Sequence, residues 1–353
     1  MVNTKIIKID PRNANDEHLL EAANTIKNGG LVIIPTETVY GICANMRNTL
    51  ALKRLEQIKE RPKNKPFSLH ISSSAQVEEF AKDIPIQAYK LMYKFWPGPL
   101  TLVFKAKSGG TIGVRMPDDD IALKIIALSG VPVVCPSANI SGKPAPSEFS
   151  DAIADLNGKV DLAVDTGPTR IKTESSVVDF SATPFKILRE AAVKKQEIES
   201  AASKKQVLFI CTGNSCRSVI AQAMLQKKLK QRGDTNVEVF SAGIMTAYGM
   251  GATEEVRKLL WKEGIDVSSH RSKRVSQEMI KSSDLILVME KIHEEKIISL
   301  VPETKNRVFL LKEFAKINGN NLDISDPIGM SSDFYEQTFA VINEALERIV
   351  GIL

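Results

Sequence analysis

The sequence predicts an α/β protein of two domains, on three observations. Its 353 residues are too many for one ordinary domain and enough for two cores. From residue 206 onward, strands and helices alternate strictly, the pattern of a parallel sheet with helices on both faces. Before residue 192 strands outnumber helices, and between the two regions lies "AVKKQEIESAASKK", polar, small and charged. The reading is therefore a first domain over 1–192, a linker over 193–205 and a second domain over 206–353.

In the first domain, residues 16–28 carry apolar positions Leu19, Leu20, Ala23 and Ile26 and end at Gly29-Gly30, which predicts a helix. "LVIIP" follows as a buried strand, and a helix around 50–60 stops at Pro62. Further strands are expected at "LTLVF", "VPVVC", "LAVD", "SVVDF" and "FKIL", separated by loops rich in Pro, Ser and Lys. In the second domain strands are expected at 206–211, 236–241, 284–289 and 307–311, and helices at 217–232, 252–263, 291–299 and 332–349. No long-period repeat relates the halves.

Composition is that of a soluble globular chain, 43% hydrophobic and 25% charged. A net charge of +5 is what a few phosphate ligands require and does not call for a dedicated nucleic-acid binder. Cys43, Cys135, Cys211 and Cys216 form neither a disulfide framework nor metal-ligand spacing, so a reducing cytoplasm is expected. The four histidines argue against a histidine-rich metal site, and no metal ligand set is assigned. "MVNTKIIKID" has no signal-peptide core and no apolar run reaches membrane length, so no membrane partner is expected.

The sharpest signal is "VLFICTGNSCRSVIAQAML", a strand that breaks at a turn and resumes as a helix. Ligands of doubly wound sheets bind beyond the carboxyl ends of strands, where Cys211 lies. Backbone N–H groups of the loop Thr212, Gly213, Asn214, Ser215 and Cys216 converge on an anion, and the same field favours a thiolate at Cys211. Arg217 at the helix start is suited to grip two phosphoryl oxygens, and Ser218 to donate to the Cys211 thiolate. Gly213 and Asn214 tolerate the left-handed backbone of a tight cradle. A structural cysteine beside a surface arginine would give the same spacing, but not strand, turn, Cys-Arg-Ser and helix in register.

This stretch resembles the phosphate loop of low-molecular-weight protein tyrosine phosphatases and the related protein arginine phosphatases. "SAG" (241–243), "EGIDVSSHRSKRV" (263–275), "SDLILVME" (283–290) and "SDPIG" (325–329) extend the likeness across the second half. The resemblance implies a doubly wound parallel sheet and Cys211 as nucleophile, and it makes Asp326, before Pro327, the acid and then the base of a phosphocysteine mechanism with no cofactor. Without the loop, Asp326 would read as a turn aspartate. Tyrosine-directed members carry an apolar residue before Cys-Arg-Ser and an aromatic pair after Asp-Pro. Here those places hold Ser215 and Ile328-Gly329, which resemble the arginine-directed branch. Arsenate reductases share the fold but use later cysteines, and none follows Cys216. The usual proline after Cys-Arg-Ser is Val219. The sequence does not identify the phosphoprotein substrate.

In the first half, "PTETVYG" (35–41), "KERPKNKPFSLH" (59–70) and "CPSANISGKPAPS" (135–147) are polar segments at strand or helix ends, where ligand sites gather. Lys59, Arg61, Lys63 and Lys65 suit a polyphosphate or nucleic acid, or form a solvated basic loop. Together the segments resemble the YrdC family of threonylcarbamoyl-AMP synthases over residues 8–192. Its Lys-x-Arg and Ser-x-Asn hallmark is matched by Lys59, Arg61, Ser137 and Asn139, and "FWPGPLT", "GVRMP", "DTG", "SSVVD" and "ILR" follow in order. The resemblance implies a twisted mixed sheet with flanking helices. It also implies synthesis of threonylcarbamoyl-AMP and pyrophosphate from L-threonine, bicarbonate and ATP, with Mg2+ accompanying ATP. The product feeds threonylcarbamoyl-transfer proteins that make the t6A modification of tRNAs. By resemblance, Lys59, Arg61, Lys65, Thr111, Asn139, Ser147 and Arg189 contact ATP, and Thr38, His70, Arg115, Ser137 and Ser175 hold threonine. His70 alone would read as a plain loop histidine. Two departures from the family stand out: Glu190-Ala191-Ala192 replaces a glycine usual after Arg189, and the extra carboxy-terminal domain of longer members is replaced by the phosphatase-like half. The rival reading makes the first half an RNA-binding module fused to a phosphatase or to a phosphoprotein-binding domain. The 6% aromatic content weighs against the RNA-binding module, and the retained Cys211, Arg217 and Asp326 against the phosphoprotein-binding domain.

Overall fold

A computed structural model describes residues 2–60, 67–247, 249–317, 319 and 321–353. The chain divides into two compact units, Met1–Ala201 and Ala202–Leu353.

The strands of the first unit are β1 (Lys5–Lys8), β2 (Val32–Ile34), β3 (Gly41–Asn45), β4 (Leu69–His70), β5 (Ala81–Lys82), β6 (Leu100–Ala106), β7 (Thr111–Arg115), β8 (Val133–Val134), β9 (Leu162–Asp165), β10 (Ser176–Asp179) and β11 (Lys186–Arg189). They pair in the order β1-β9-β2-β3-β8-β4-β7-β6-β10-β11, with β5 against β6. Parallel pairs such as β1 with β9 and β6 with β10 occur beside antiparallel ones such as β2 with β3 and β6 with β7, so the sheet is mixed. The helix Asp16–Lys27 starts where the Asn15 side chain accepts from the Glu17 N–H. It buries Leu19, Ala22, Ala23 and Ile26, the stripe that 3.6-residue periodicity turns inward, while Leu20, another of its apolar positions, is 46% exposed. The helix Thr49–Lys59 ends at Glu60, whose left-handed backbone (φ 48°) stops it; Pro62, the expected stop, lies outside the described residues.

The second unit has β12 (Lys205–Cys211), β13 (Val237–Gly243), β14 (Leu285–Val288) and β15 (Val308–Leu310), all parallel, in the order β13-β12-β14-β15. Every β12 residue from Gln206 to Cys211 is buried, although successive side chains point to opposite faces. Both faces of the sheet are therefore covered. The helices Arg217–Gln231, Glu254–Lys262, Lys291–Leu300 and Ser332–Ile349 lie close to the expected ranges. Two short ones, Gln277–Ser282 and Leu311–Phe314, were not expected, being too brief for a periodic signal. The segment expected as a linker holds a helix, Lys195–Ser203, in which Ile198, Ala201 and Ala202 are buried. That i, i+3, i+4 apolar stripe is hidden in sequence by the polar residues around it.

Candidate active sites

In the first unit a cavity of about 660 Å³ opens among β3, β4, β6, β7, β10 and β11. Of the expected ligand residues, Lys59, His70, Thr111, Arg115, Ser137, Asn139, Ser175 and Arg189 line it. Lys59, the last residue of its helix, is 3% exposed, and a buried ammonium must find acceptors. It donates to the Ser137 carbonyl at 2.6 Å and to Asn139 Oδ1 at 2.9 Å, while Ser137 Oγ donates to the same Oδ1 at 2.6 Å. The two halves of the hallmark motif thus meet across 78 and 80 residues of chain.

Arg115, 5% exposed at the end of β7, donates from Nη2 to Thr38 Oγ1 at 2.7 Å and lies 2.7 Å from Glu37 Oε1. Thr38 is thereby held behind the cavity lining, through Arg115. Glu37, which sequence reasoning missed, is a buried counter-ion inside "PTETVYG"; its only signal was an acid in an otherwise uncharged motif. Arg189 pairs with Glu174 at 2.6 Å and donates from Nε to the Ser175 carbonyl, and Thr101 Oγ1 lies 2.9 Å from Ser175 Oγ. Ser147 is not on the lining; its carbonyl accepts from the Thr169 N–H. Arg61 and Lys65 lie outside the described residues. No group of three or more His, Cys, Asp or Glu side chains suited to a metal occurs among the described residues, and the carboxylate on the cavity lining, Glu174, is engaged by Arg189.

In the second unit the loop after β12 closes around Cys211, 2% exposed. The Asn214 N–H donates to Cys211 Sγ at 3.2 Å, and Ser218 Oγ lies 3.0 Å from the same sulfur. Ser218 Oγ accepts from Asn214 Nδ2, which leaves its own hydrogen for the sulfur. Asn214 takes left-handed backbone at φ 52°, whereas Gly213, equally expected there, does not. The Asn214 side chain also donates to Ser241 Oγ and accepts from the Lys273 N–H, and the Asn214 carbonyl accepts from His270 Nε2. These bonds tie the loop to β13 and to the segment after it. Gly243 was noted only as part of "SAG", yet a Cβ there would stand 2.5 Å from the Thr212 carbonyl oxygen. The close approach of β13 to the loop admits only glycine.

Arg217 is 1% exposed and its donors are mostly taken. Nη1 donates to Glu290 at 2.6 Å and to the Ile324 carbonyl at 2.7 Å; Nη2 donates to Asp326 Oδ2 at 2.5 Å and to Thr212 Oγ1 at 3.2 Å. Nε is buried with no partner. The expected grip on two phosphoryl oxygens therefore rests on Nε together with a donor now held by Asp326. Burial pushes the Cys216 thiol up from its ordinary range, against its contacts with Thr253 and Ser215. Beside the loop, a cavity of about 780 Å³ is lined by Ser215, Thr253, Arg257, Arg271, Ile328 and others.

Burial, reinforced by Arg115, lowers His70 to about 3, and burial, reinforced by Arg217, lowers His293 to about 4, both from 6.5. Folded, each ring is neutral down to those values, whereas the unfolded chain takes up protons below about 6.5. The stabilisation from both is thus complete above that pH and is lost as pH falls through the folded values. The melting temperature of the full chain is expected to drop between about pH 7.5 and 4.5, and His293→Gln to flatten part of that drop. An unchanged pH slope in the variant would contradict the assignment.

Residues 24–191 match the Sua5/YciO/YrdC family, described as telomere recombination, and residues 206–352 match the low molecular weight phosphotyrosine protein phosphatase family. The threonylcarbamoyl-AMP synthase of Pyrococcus abyssi is 42% identical over 212 residues, 58% of this chain and 62% of that protein. The protein-arginine-phosphatase of Bacillus subtilis is 35% identical over 143 residues, 40% of this chain and 93% of that protein. A solved structure of P. abyssi Sua5 is 30% identical with a TM-score of 0.54, covering 87% of this chain and 98% of that one. A second, complexed with L-threonine, is 28% identical with a TM-score of 0.54 and covers 87% and 99%. The chain spans about three-fifths of the length of several curated synthases that it matches. The mixed sheet of the first unit and the parallel sheet of the second are the architecture expected for the two halves. By sequence, the chain belongs to the Sua5/YciO/YrdC family in its first unit and to the low-molecular-weight phosphotyrosine protein phosphatase family in its second.

Proposed function

We propose that the chain is a bifunctional cytoplasmic enzyme, a threonylcarbamoyl-AMP synthase followed by a protein phosphatase. The carrying observation is that each unit gathers its own family's motif residues around one cavity or loop. No helix among the described residues is long and apolar enough to cross a membrane.

For the synthase, the threonine in the P. abyssi Sua5 complex supports L-threonine as substrate here. Arg115 keeps donors beyond those given to Glu37, Thr38 and the Gly98 carbonyl and is suited to the substrate carboxylate. Neutral His70, with Nδ1 buried and unpartnered on the lining, offers that atom to a ligand hydrogen. The nucleotide step is substitution at the α phosphorus of ATP with pyrophosphate leaving, so positioning and charge neutralisation dominate. Lys59, Arg189, Thr111 and Asn139 are assigned to ATP, with Arg61 and Lys65 of the same basic segment. Mg2+ would arrive on the phosphates, since Glu174 is engaged by Arg189. The product would pass to proteins that transfer the threonylcarbamoyl group to tRNA. The test is pyrophosphate release from ATP, expected only when threonine and bicarbonate are both present. Release without threonine would overturn the synthase reading.

For the phosphatase, Cys211 Sγ attacks phosphorus and Asp326, released from Arg217, protonates the leaving atom. Asp326 then takes a proton from the water that hydrolyses the phosphocysteine. Arg217 Nε and the loop N–H groups hold the phosphoryl oxygens, and Ser218 stabilises the sulfur anion. The arginine-directed reading is favoured by Ser215 and by Ile328-Gly329, which supply no aromatic walls for a phenyl ring. The likeness to the B. subtilis protein-arginine-phosphatase supports it. Phosphoarginine peptides are expected to turn over faster than phosphotyrosine peptides, and equal rates would defeat that reading.

A further inference from the structure

His293 stands outside every motif the sequence singled out for chemistry, yet it is fully buried beside the phosphate loop. Its Nδ1 accepts from the Glu290 backbone N–H at 3.0 Å, and its Nε2 lies 3.0 Å from Thr212 Oγ1. A ring nitrogen that accepts a hydrogen bond carries no proton, so in the neutral ring the proton sits on Nε2. Nε2 is 3.6 Å from Glu290 Oε2, beyond hydrogen-bond reach, so it donates to Thr212. Arg217 Nη2 reaches the same hydroxyl at 3.2 Å, and a guanidinium only donates. Thr212 Oγ1 thus receives two hydrogens and has used both lone pairs. Its own hydrogen must go elsewhere, and no acceptor for it is found among the described residues.

We propose that His293 is a positioning residue that, with Arg217, forces the Thr212 hydroxyl to act as a donor to an oxygen of the bound phosphoryl group. This inference rests on the phosphatase reading. It adds to the backbone cradle one side-chain donor whose polarity is set by a buried imidazole. A hydroxyl free to rotate must first turn its hydrogen toward the phosphoryl oxygen and give up any other partner. The locked hydroxyl presents its hydrogen without reorganisation, the condition under which a donor contributes most to a developing charge.

The test uses the full chain and inorganic phosphate or orthovanadate as probe, measured by titration calorimetry alongside turnover. Thr212→Val keeps the shape and removes the hydroxyl; Thr212→Ser keeps the donor. A hydrogen bond to a charged group predicts that Thr212→Val weakens probe binding and kcat/KM roughly tenfold or more, with Thr212→Ser close to the parent. His293→Ala is expected to cost a similar factor alone and almost nothing in the Thr212→Val background, because both substitutions remove one interaction. A purely structural histidine would instead give additive losses. The nitrogen NMR signature of His293 near neutral pH should be that of the Nε2-protonated ring. Unchanged probe binding in Thr212→Val, additive losses, or an Nδ1-protonated ring each overturns the inference. Thr212-dependent phosphate binding with no hydrolysis by the parent protein would sink the phosphatase reading and leave this one standing; no phosphate binding by the parent would remove both.

Discussion

Cys211→Ser is expected to abolish phosphatase turnover while pyrophosphate release continues at the parental rate. Serine keeps the shape of the loop and accepts the same Asn214 N–H, but its alkoxide is far less available than a thiolate at neutral pH. Loss of a nucleophile that acts as one unit with its acid and its anion donors removes most of the chemical advantage of the site, on the order of 10^4-fold or more in kcat. The backbone cradle and Arg217 survive the change, so phosphate binding should persist even though turnover is lost. The proposed synthase activity should be unaffected, because every residue proposed for it lies in the unit Met1–Ala201. Residual hydrolysis within about tenfold of the parent would show that Cys211 is not the nucleophile.

Lys59→Met is expected to produce the mirror result, a loss of threonine-dependent pyrophosphate release with the phosphatase intact. Methionine fills much of the lysine volume but donates nothing, so the Ser137 carbonyl and Asn139 Oδ1 lose a charged partner inside a cavity wall. Removing one donor aimed at developing charge lowers kcat by about 10^2 to 10^3-fold. The acceptors left behind should also cost about 1–3 kcal/mol of stability, visible as a lowered melting temperature of the full chain. Because Lys59 also sets the geometry of Ser137 and Asn139, KM for ATP should rise along with the fall in kcat. A rate within about threefold of the parent would show that the hallmark lysine is structural only.

The loop around Cys211, built from consecutive residues, is legible directly in the sequence. Strand, turn and helix amino terminus follow one another in "VLFICTGNSCRS", and the residue types needed for an anion cradle stand in order along the chain. Alternation at fixed lengths likewise made the parallel sheet of the second unit legible, with boundaries within a few residues. The first unit was harder. Short strands such as β4, β5 and β8 carry too few residues to show a period, and Lys195–Ser203 hides its apolar stripe in a polar composition. Ser147 sits within a matching segment but not on the cavity, because motif order along a chain does not say which side chains face inward.

The sequence alone pointed to the chemistry proposed for each half, through the order of residues around Cys211 and Arg217 and through motifs that resemble those of two families. Tertiary structure decided how the charges are balanced. Arg217 meets Glu290, Ile324 and Asp326 from 73 to 109 residues away. Glu37, unremarked in sequence, is the buried counter-ion of Arg115, and His293 reaches Thr212 across 81 residues. A buried charge or polar group must be satisfied by whatever the fold brings within about 3 Å of it, and no local pattern encodes that neighbour.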